Sequence, residues 1–220
     1  MNHRARKGSK RWIQVAVNDK ASILTAAILE SLGLPGRMKI EWSSPVGPHY
    51  REHRDLAALG VMKAPSLRVD LDSFWPRRGP VWDALGRTDH GDLLFVEAKA
   101  HIAEAASPRS KATPASYALI QKSLEQVRAW LAPRSRADWT GTFFQYANRL
   151  AHLWFYRVQN RLPAHLVFVY FLNARDVGGP ARREEWDAAL TLLHSALGLS
   201  RRHSLRRFVH DVFINVDALT

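Results

Sequence analysis

Apolar positions recur along this chain in two distinct periods, and each stretch of constant period predicts an element. Ile23, Leu24, Ala27, Ile28 and Leu32 return at helical spacing. Asn18 or Asp19 can cap that run and Gly33 can stop it, which predicts a helix over 19–32. Residues 38–42 read as a strand, broken by Ser43, Ser44, Pro45, Gly47 and Pro48. Residues 93–96 and 166–172 are continuous apolar runs, as expected of strands buried on both faces. Thr113 and Pro114 open a helix whose one face carries Tyr117, Ile120, Leu124, Val127 and Leu131. A second long helix is predicted over 140–159. A third covers 183–197 and ends at Gly198, and a closing strand spans 208–216. Shorter signals predict strands at 12–17, 67–71 and 81–86, and a helix over 50–59 closed by Gly60. Strands and helices therefore alternate. The predicted class is α/β, a mixed central sheet flanked by helices.

Length and composition narrow this picture. The 220 residues suit one domain, read here as 12–220 behind a flexible basic segment, 1–11. Eight Trp, nine Phe and five Tyr provide a sizeable core, and the 46% hydrophobic content excludes a disordered or coiled-coil chain. No apolar stretch is long enough to span a bilayer, and no membrane partner is expected. The N-terminal basic run lacks the apolar segment and cleavage site of a signal peptide. Cysteine is absent, which removes disulfides, thiolate metal sites and a thiol nucleophile, and suits a cytoplasmic location.

The net charge is +12 and the pI near 10.6, with clusters at Arg4, Arg6, Lys7, Lys10 and Arg11, at Arg182 and Arg183, and at Arg201, Arg202, Arg206 and Arg207. Such a surface attracts polyanions, nucleic acid first among them. An arginine-rich solvated surface accounts for the same charge.

The chemistry concentrates on one predicted strand. In 93–99, Leu93, Phe95, Glu97 and Lys99 share one face, and Leu94, Val96 and Ala98 the other. Two opposite charges at the end of a buried strand are costly unless something pairs or uses them, and ligands of α/β sheets bind at strand carboxyl ends. Asp83 lies upstream, across a turn at 89–92 rich in Asp and Gly, so an antiparallel hairpin brings it near Glu97. Two carboxylates, with the Ala98 carbonyl, can hold a hard cation such as Mg²⁺ or Mn²⁺ beside the Lys99 ammonium. A structural ion pair is the alternative. The chain carries no Walker or dinucleotide fingerprint and no Gly-x-Ser-x-Gly.

Asp83, followed by Glu97-Ala98-Lys99 on a buried strand between a hairpin and a helix, resembles the PD-(D/E)XK nuclease superfamily with its restriction-endonuclease-like fold. The resemblance covers roughly residues 19–172, with Trp82 standing where the name of the family has Pro and inserted helices between the first strands. It implies a Mg²⁺-dependent phosphodiester hydrolase acting on DNA through a metal-activated water. Asp83, Glu97 and the Ala98 carbonyl would be the metal ligands and Lys99 the catalytic lysine. It also implies an upstream Glu, for which Glu30 is the first candidate and Glu52 the rival. His101 continues the Glu97–Lys99 face and is a further catalytic candidate. Gln145, Asn148 and Arg149, on a polar stripe that includes His152 and Tyr156, are candidates for gripping nucleic-acid phosphates, or form a solvated helix face. The non-catalytic alternative is a nucleic-acid- or protein-binding module on the same fold. The oligomeric state stays open, a dimer included.

Overall fold

A computed structural model describes residues 4–108 and 112–220. Within them the chain forms α1 (Gly8–Asn18), α2 (Ala21–Leu32), β1 (Ile40–Ser44), α3 (Asp55–Val61), β2 (Ala84–Thr88) and β3 (Leu93–Lys99). Then follow α4 (Pro114–Leu131), α5 (Phe144–Trp154), β4 (Ala164–Leu172), α6 (Arg183–Leu197) and β5 (Val209–Asn215). The strands make one mixed sheet in the order β1-β2-β3-β4-β5. The first three are antiparallel neighbours, and β3, β4 and β5 run parallel. The α/β class read from the alternating periods is the class observed.

The alternation along β3 sorts the core into two layers. Leu93 and Phe95 pack with Leu124 of α4, Ala147 and Leu150 of α5, and Trp186 and Leu190 of α6. Leu94, Val96 and Ala98 pack with Ile13 and Ala16 of α1 and with Leu24 and Ile28 of α2. All seven β3 residues are buried, and each large apolar side chain so placed contributes about 1.5–3 kcal/mol. The helix ends follow local chemistry. α4 starts with the Thr113 hydroxyl accepting from the Ser116 N–H and with Pro114 at its first position. α2 and α6 stop at Gly33 and Gly198, whose φ angles of 67° and 61° suit glycine.

Several local expectations are corrected. Residues 12–17 are helical, because Trp12, Ile13, Ala16 and Val17 form one buried face of α1; a short apolar run does not separate helix from strand. Of the segment expected to be flexible, residues 1–3 lie outside the described residues and residues 8–11 are helical. α1 begins at Gly8, whose N–H donates to the Asp176 carboxylate, as does the Trp12 indole. Residues 67–71 form no strand, since the N–H groups of Arg68 and Val69 donate to the Asn160 side chain instead of a neighbouring strand. Gly60 lies within α3 rather than closing a helix over 50–59. α5 ends at Trp154 and passes into a π-helical turn, Phe155–Gln159. Among the described residues no helix is long and apolar enough to cross a membrane.

Candidate active site

The β2–β3 hairpin closes through Thr88, whose N–H and hydroxyl both engage Asp92, and through Gly91 at φ 93°. Ala84 pairs with Val96, so Asp83, one residue earlier, falls opposite Glu97. The Asp83 N–H donates to the Val96 carbonyl at 3.1 Å, and its Oδ2 accepts from the Ala98 N–H at 2.8 Å. The carboxylate thus fills the place that a β2 carbonyl would take had the strand continued. An extended residue directs its N–H and C=O to the same edge, so the Ala98 carbonyl lies on the Asp83 side of β3.

Glu97 and Lys99 emerge on the α5 side. Lys99 Nζ donates to Glu97 Oε1 at 2.6 Å and to Gln145 Oε1 at 2.7 Å. The other oxygen, Glu97 Oε2, accepts from Arg149 Nε at 2.6 Å. Arg149 also donates from Nη2 to the Val81 carbonyl at 2.9 Å and lies over the Trp82 ring at 4.8 Å. Gln145 and Arg149 are four positions apart on α5 and so present to one side of the helix. Glu97, Lys99, Gln145, Tyr146, Phe168 and Tyr170 line a cavity of about 10 Å³, room for about one water.

The two acids titrate in opposite directions. Burial, reinforced by the Glu97 charge, pushes Asp83 up to about 7 against the pull of Lys99, the Ala98 N–H and Arg149. Burial alone would raise Glu97 as well. Arg149 and Lys99 overcome it and hold Glu97 below the ordinary carboxylate range. Burial and nearby acids, Asp211 first, raise the Tyr170 hydroxyl, so it stays protonated.

The donor set suits a hard divalent cation. Asp83, Glu97 and the Ala98 carbonyl offer oxygen only, and the Asp83 carboxyl is raised chiefly by burial and then by the facing Glu97 charge. Among the described residues no group of three or more His, Asp or Glu side chains is arranged around a metal position. Mg²⁺ commonly takes only one or two protein carboxylates, with water and substrate phosphate completing its shell.

The remaining candidates divide. Glu30 is exposed on α2, which packs on the Leu94–Val96–Ala98 face, so the sheet itself separates it from Glu97 and Lys99. Glu52 lies beside the His53–Trp82 bridge, next to the Asp83 segment, and pairs with Lys10 at 3.0 Å. His101 does not extend the Glu97–Lys99 face. The strand ends at Lys99, and His101 Nδ1 caps a short 3₁₀ turn by accepting from the Ala103 N–H. Gln145, Asn148 and Arg149 form neither a phosphate grip nor a solvated face. Asn148 is 8% and Arg149 4% exposed, and Gln145 and Arg149 are spent on Lys99 and Glu97. The role of Arg149 as the partner of Glu97 was missed. Its signal was the Gln-x-x-x-Arg spacing on a helix that has to cover a charged strand end.

The chain matches no protein-family model, and neither a curated protein nor a solved structure shows significant similarity to it.

Proposed function

We propose that this protein is a divalent-metal-dependent phosphodiester hydrolase acting on nucleic acid, most readily DNA. The observation that carries the reading is the meeting of Asp83, Glu97 and Lys99 at one sheet end, on one side of β2 and β3. The order of helix, three strands, helices and strand around that site, and the +12 net charge, support it.

Asp83, Glu97 and the Ala98 carbonyl would hold the cation, which when bound supplies Lewis-acid polarisation of the phosphoryl group and acidifies water. Lys99 has three N–H donors, two of them given to Glu97 and Gln145. The third is left for a phosphoryl oxygen, where a fixed ammonium stabilises the charge that builds up during in-line attack. Arg149 is a positioning residue that fixes the Glu97 carboxylate through Oε2.

The test is incubation of supercoiled, linear and branched DNA with parent protein and Lys99→Ala, with and without Mg²⁺ or Mn²⁺. Metal-dependent cleavage by the parent, lost in Lys99→Ala while DNA binding persists, is the expected result. Arg149 still pairs Glu97 in that variant, so the fold survives. Equal cleavage by both proteins, or none by the parent with either metal, overturns the reading. One observation favours a second reading, a non-catalytic binding module: both Glu97 oxygens are held by cationic groups, as in a structural ion cluster. Binding of DNA by parent and variant alike, without cleavage, is its signature.

A further inference from the structure

The sheet face that carries Glu97 and Lys99 has a second opening toward β5. Asp211 stands in register with Phe168 and hence with Glu97, and Phe213 with Tyr170 and Lys99. Two strand spacings, about 10 Å, separate the rows. There a cavity of about 200 Å³ is lined by Arg183 and His194 of α6, Arg201 and Arg206 of the following loop, and Asp211 and Phe213 of β5. Tyr146 is the partition between the two cavities. It lines the first, stacks on Phe168 at 4.6 Å and bonds His194 Nε2 at 2.9 Å.

The guanidinium groups are only partly engaged. Arg183 lies over the Phe213 ring at 4.5 Å and reaches Asp187 at 3.5 Å. Arg201 donates once, to the Thr191 hydroxyl. Arg206 is committed to the Val209 carbonyl and to Asp211 Oδ2. Each guanidinium has five N–H donors, so Arg183 and Arg201 have most of theirs to give. Two atoms of the wall are buried without a hydrogen-bond partner among the described residues, Asp211 Oδ1 and His194 Nδ1. A buried acceptor such as Asp211 Oδ1 is satisfied by water or by a ligand that brings a donor, and not by a donor-free anion. Arginines call for an anion. One anion class does both: a phosphate monoester, which titrates near pH 6 and carries a P–OH in its monoanion, or orthophosphate, whose mono- and dianion both carry a P–OH. A phosphodiester and sulfate carry oxygens but no donor.

We propose that this cavity is a binding site for a phosphate monoester group, with Arg183 and Arg201 taking its oxygens and Asp211 Oδ1 accepting its P–OH. Arg206 is the positioning residue that holds Asp211 in place. The site goes beyond the hydrolase reading and stands whether or not the chain cleaves DNA.

The experiment titrates the full chain, free of divalent metal, with orthophosphate and with sulfate at pH 6.5, followed by calorimetry. Orthophosphate is expected to bind, and sulfate at least about tenfold more weakly. Arg201→Ala, at an exposed position, is expected to weaken orthophosphate binding by about tenfold or more. The near-isosteric Asp211→Asn, whose amide can donate, is expected to lose the preference over sulfate. Sulfate binding as tightly as orthophosphate, orthophosphate binding unchanged in Arg201→Ala, or no orthophosphate binding overturns the site. Single-stranded oligonucleotides with and without a 5′-phosphate identify the source. Tighter binding of the phosphorylated strand assigns a nucleic-acid terminus, and equal binding alongside retained orthophosphate binding assigns a free phosphate compound. No arm reads cleavage, so failure here is distinct from failure of the hydrolase reading.

Discussion

Asp83 links the chemistry proposed for the site to the stability of the fold. Its carboxyl is pushed from 3.8 to about 7, chiefly by burial and then by Glu97. A raised carboxyl pKa means that the folded protein binds the proton more tightly than the unfolded chain. Its contribution to stability is therefore fully present below pH 4 and is lost as pH rises through about 7. At about 1.4 kcal/mol per pKa unit, the loss amounts to about 4 kcal/mol, and the partial exposure of Asp83 reduces it to about 2–4 kcal/mol. Asp83→Asn removes the ionisable group yet keeps an oxygen that can accept from the Ala98 N–H. The variant should match the parent at pH 4 and exceed it by about 2–4 kcal/mol at pH 8, while losing all cleavage. Urea unfolding across pH 4–8 measures the gap. Added Mg²⁺ should raise the parent's melting temperature at pH 8 and leave the variant's unmoved. A gap that does not vary with pH, or a variant less stable than the parent at pH 8, refutes the reasoning.

Arg149→Met leaves one oxygen of the buried Glu97 carboxylate without its partner, and should cost about 3–5 kcal/mol in urea unfolding at pH 8; a loss under 1 kcal/mol would show that water already reaches the pair. Gly179→Ala would set a Cβ 2.2 Å from the Ala100 carbonyl, just beyond Lys99, so a destabilisation of about 1–3 kcal/mol and reduced cleavage are expected together; an unaffected variant would mean that the loop yields freely. Burial lowers His165 and His210 to about 4 and His152 to about 3. Their neutral forms stabilise the fold above pH 6.5 and lose that effect as pH falls toward 4, so the melting temperature should decline over that window, and more steeply in Asp83→Asn, where the opposing carboxyl is gone. A flat profile contradicts this. Glu52→Gln should slow cleavage and Glu30→Gln should not, since only the former stands beside the Asp83 segment.

The sequence was most legible where one period ran unbroken. β3 has seven residues with two clean faces, and α6 has caps at both ends, so both were read to within a residue or two. The hairpin that sets Asp83 against Glu97 followed from a turn rich in Asp and Gly between two apolar runs. Reading failed where a side chain replaced a backbone partner. Asn160 accepts from Arg68 and Val69, so an alternating segment that looks like a strand has no neighbour to pair with. It failed again on α5, where a polar stripe has the same spacing whether it faces water or a buried acid. The Lys99–Gln145 and Glu97–Arg149 contacts join residues 46 and 52 positions apart, so the Gln-x-x-x-Arg spacing marks one side of the helix but not the charges it covers. The choice between Glu30 and Glu52 likewise depended on which sheet face receives α2, and amphipathicity alone does not settle that.

The charge count at the sheet end shows why the four central residues belong together. With Asp83 ionised, Asp83, Glu97, Lys99 and Arg149 sum to zero; with Asp83 protonated they sum to one positive charge. Glu97 stays ionised throughout, because two cations hold it below the ordinary range. Of the two acids, Asp83 is therefore the one whose charge changes near neutral pH. Lys99 and Arg149 exceed Glu97 by one positive charge, so ionised Asp83 brings the four groups to neutrality while its Oδ2 accepts from the Ala98 N–H. Burial, more than the Glu97 charge, holds the Asp83 carboxyl up at about 7 against the pull of Lys99, the Ala98 N–H and Arg149. A buried carboxyl that titrates near neutral pH beside a lysine at a strand end supports the proposed reading, although a structural ion network shifts such groups as well.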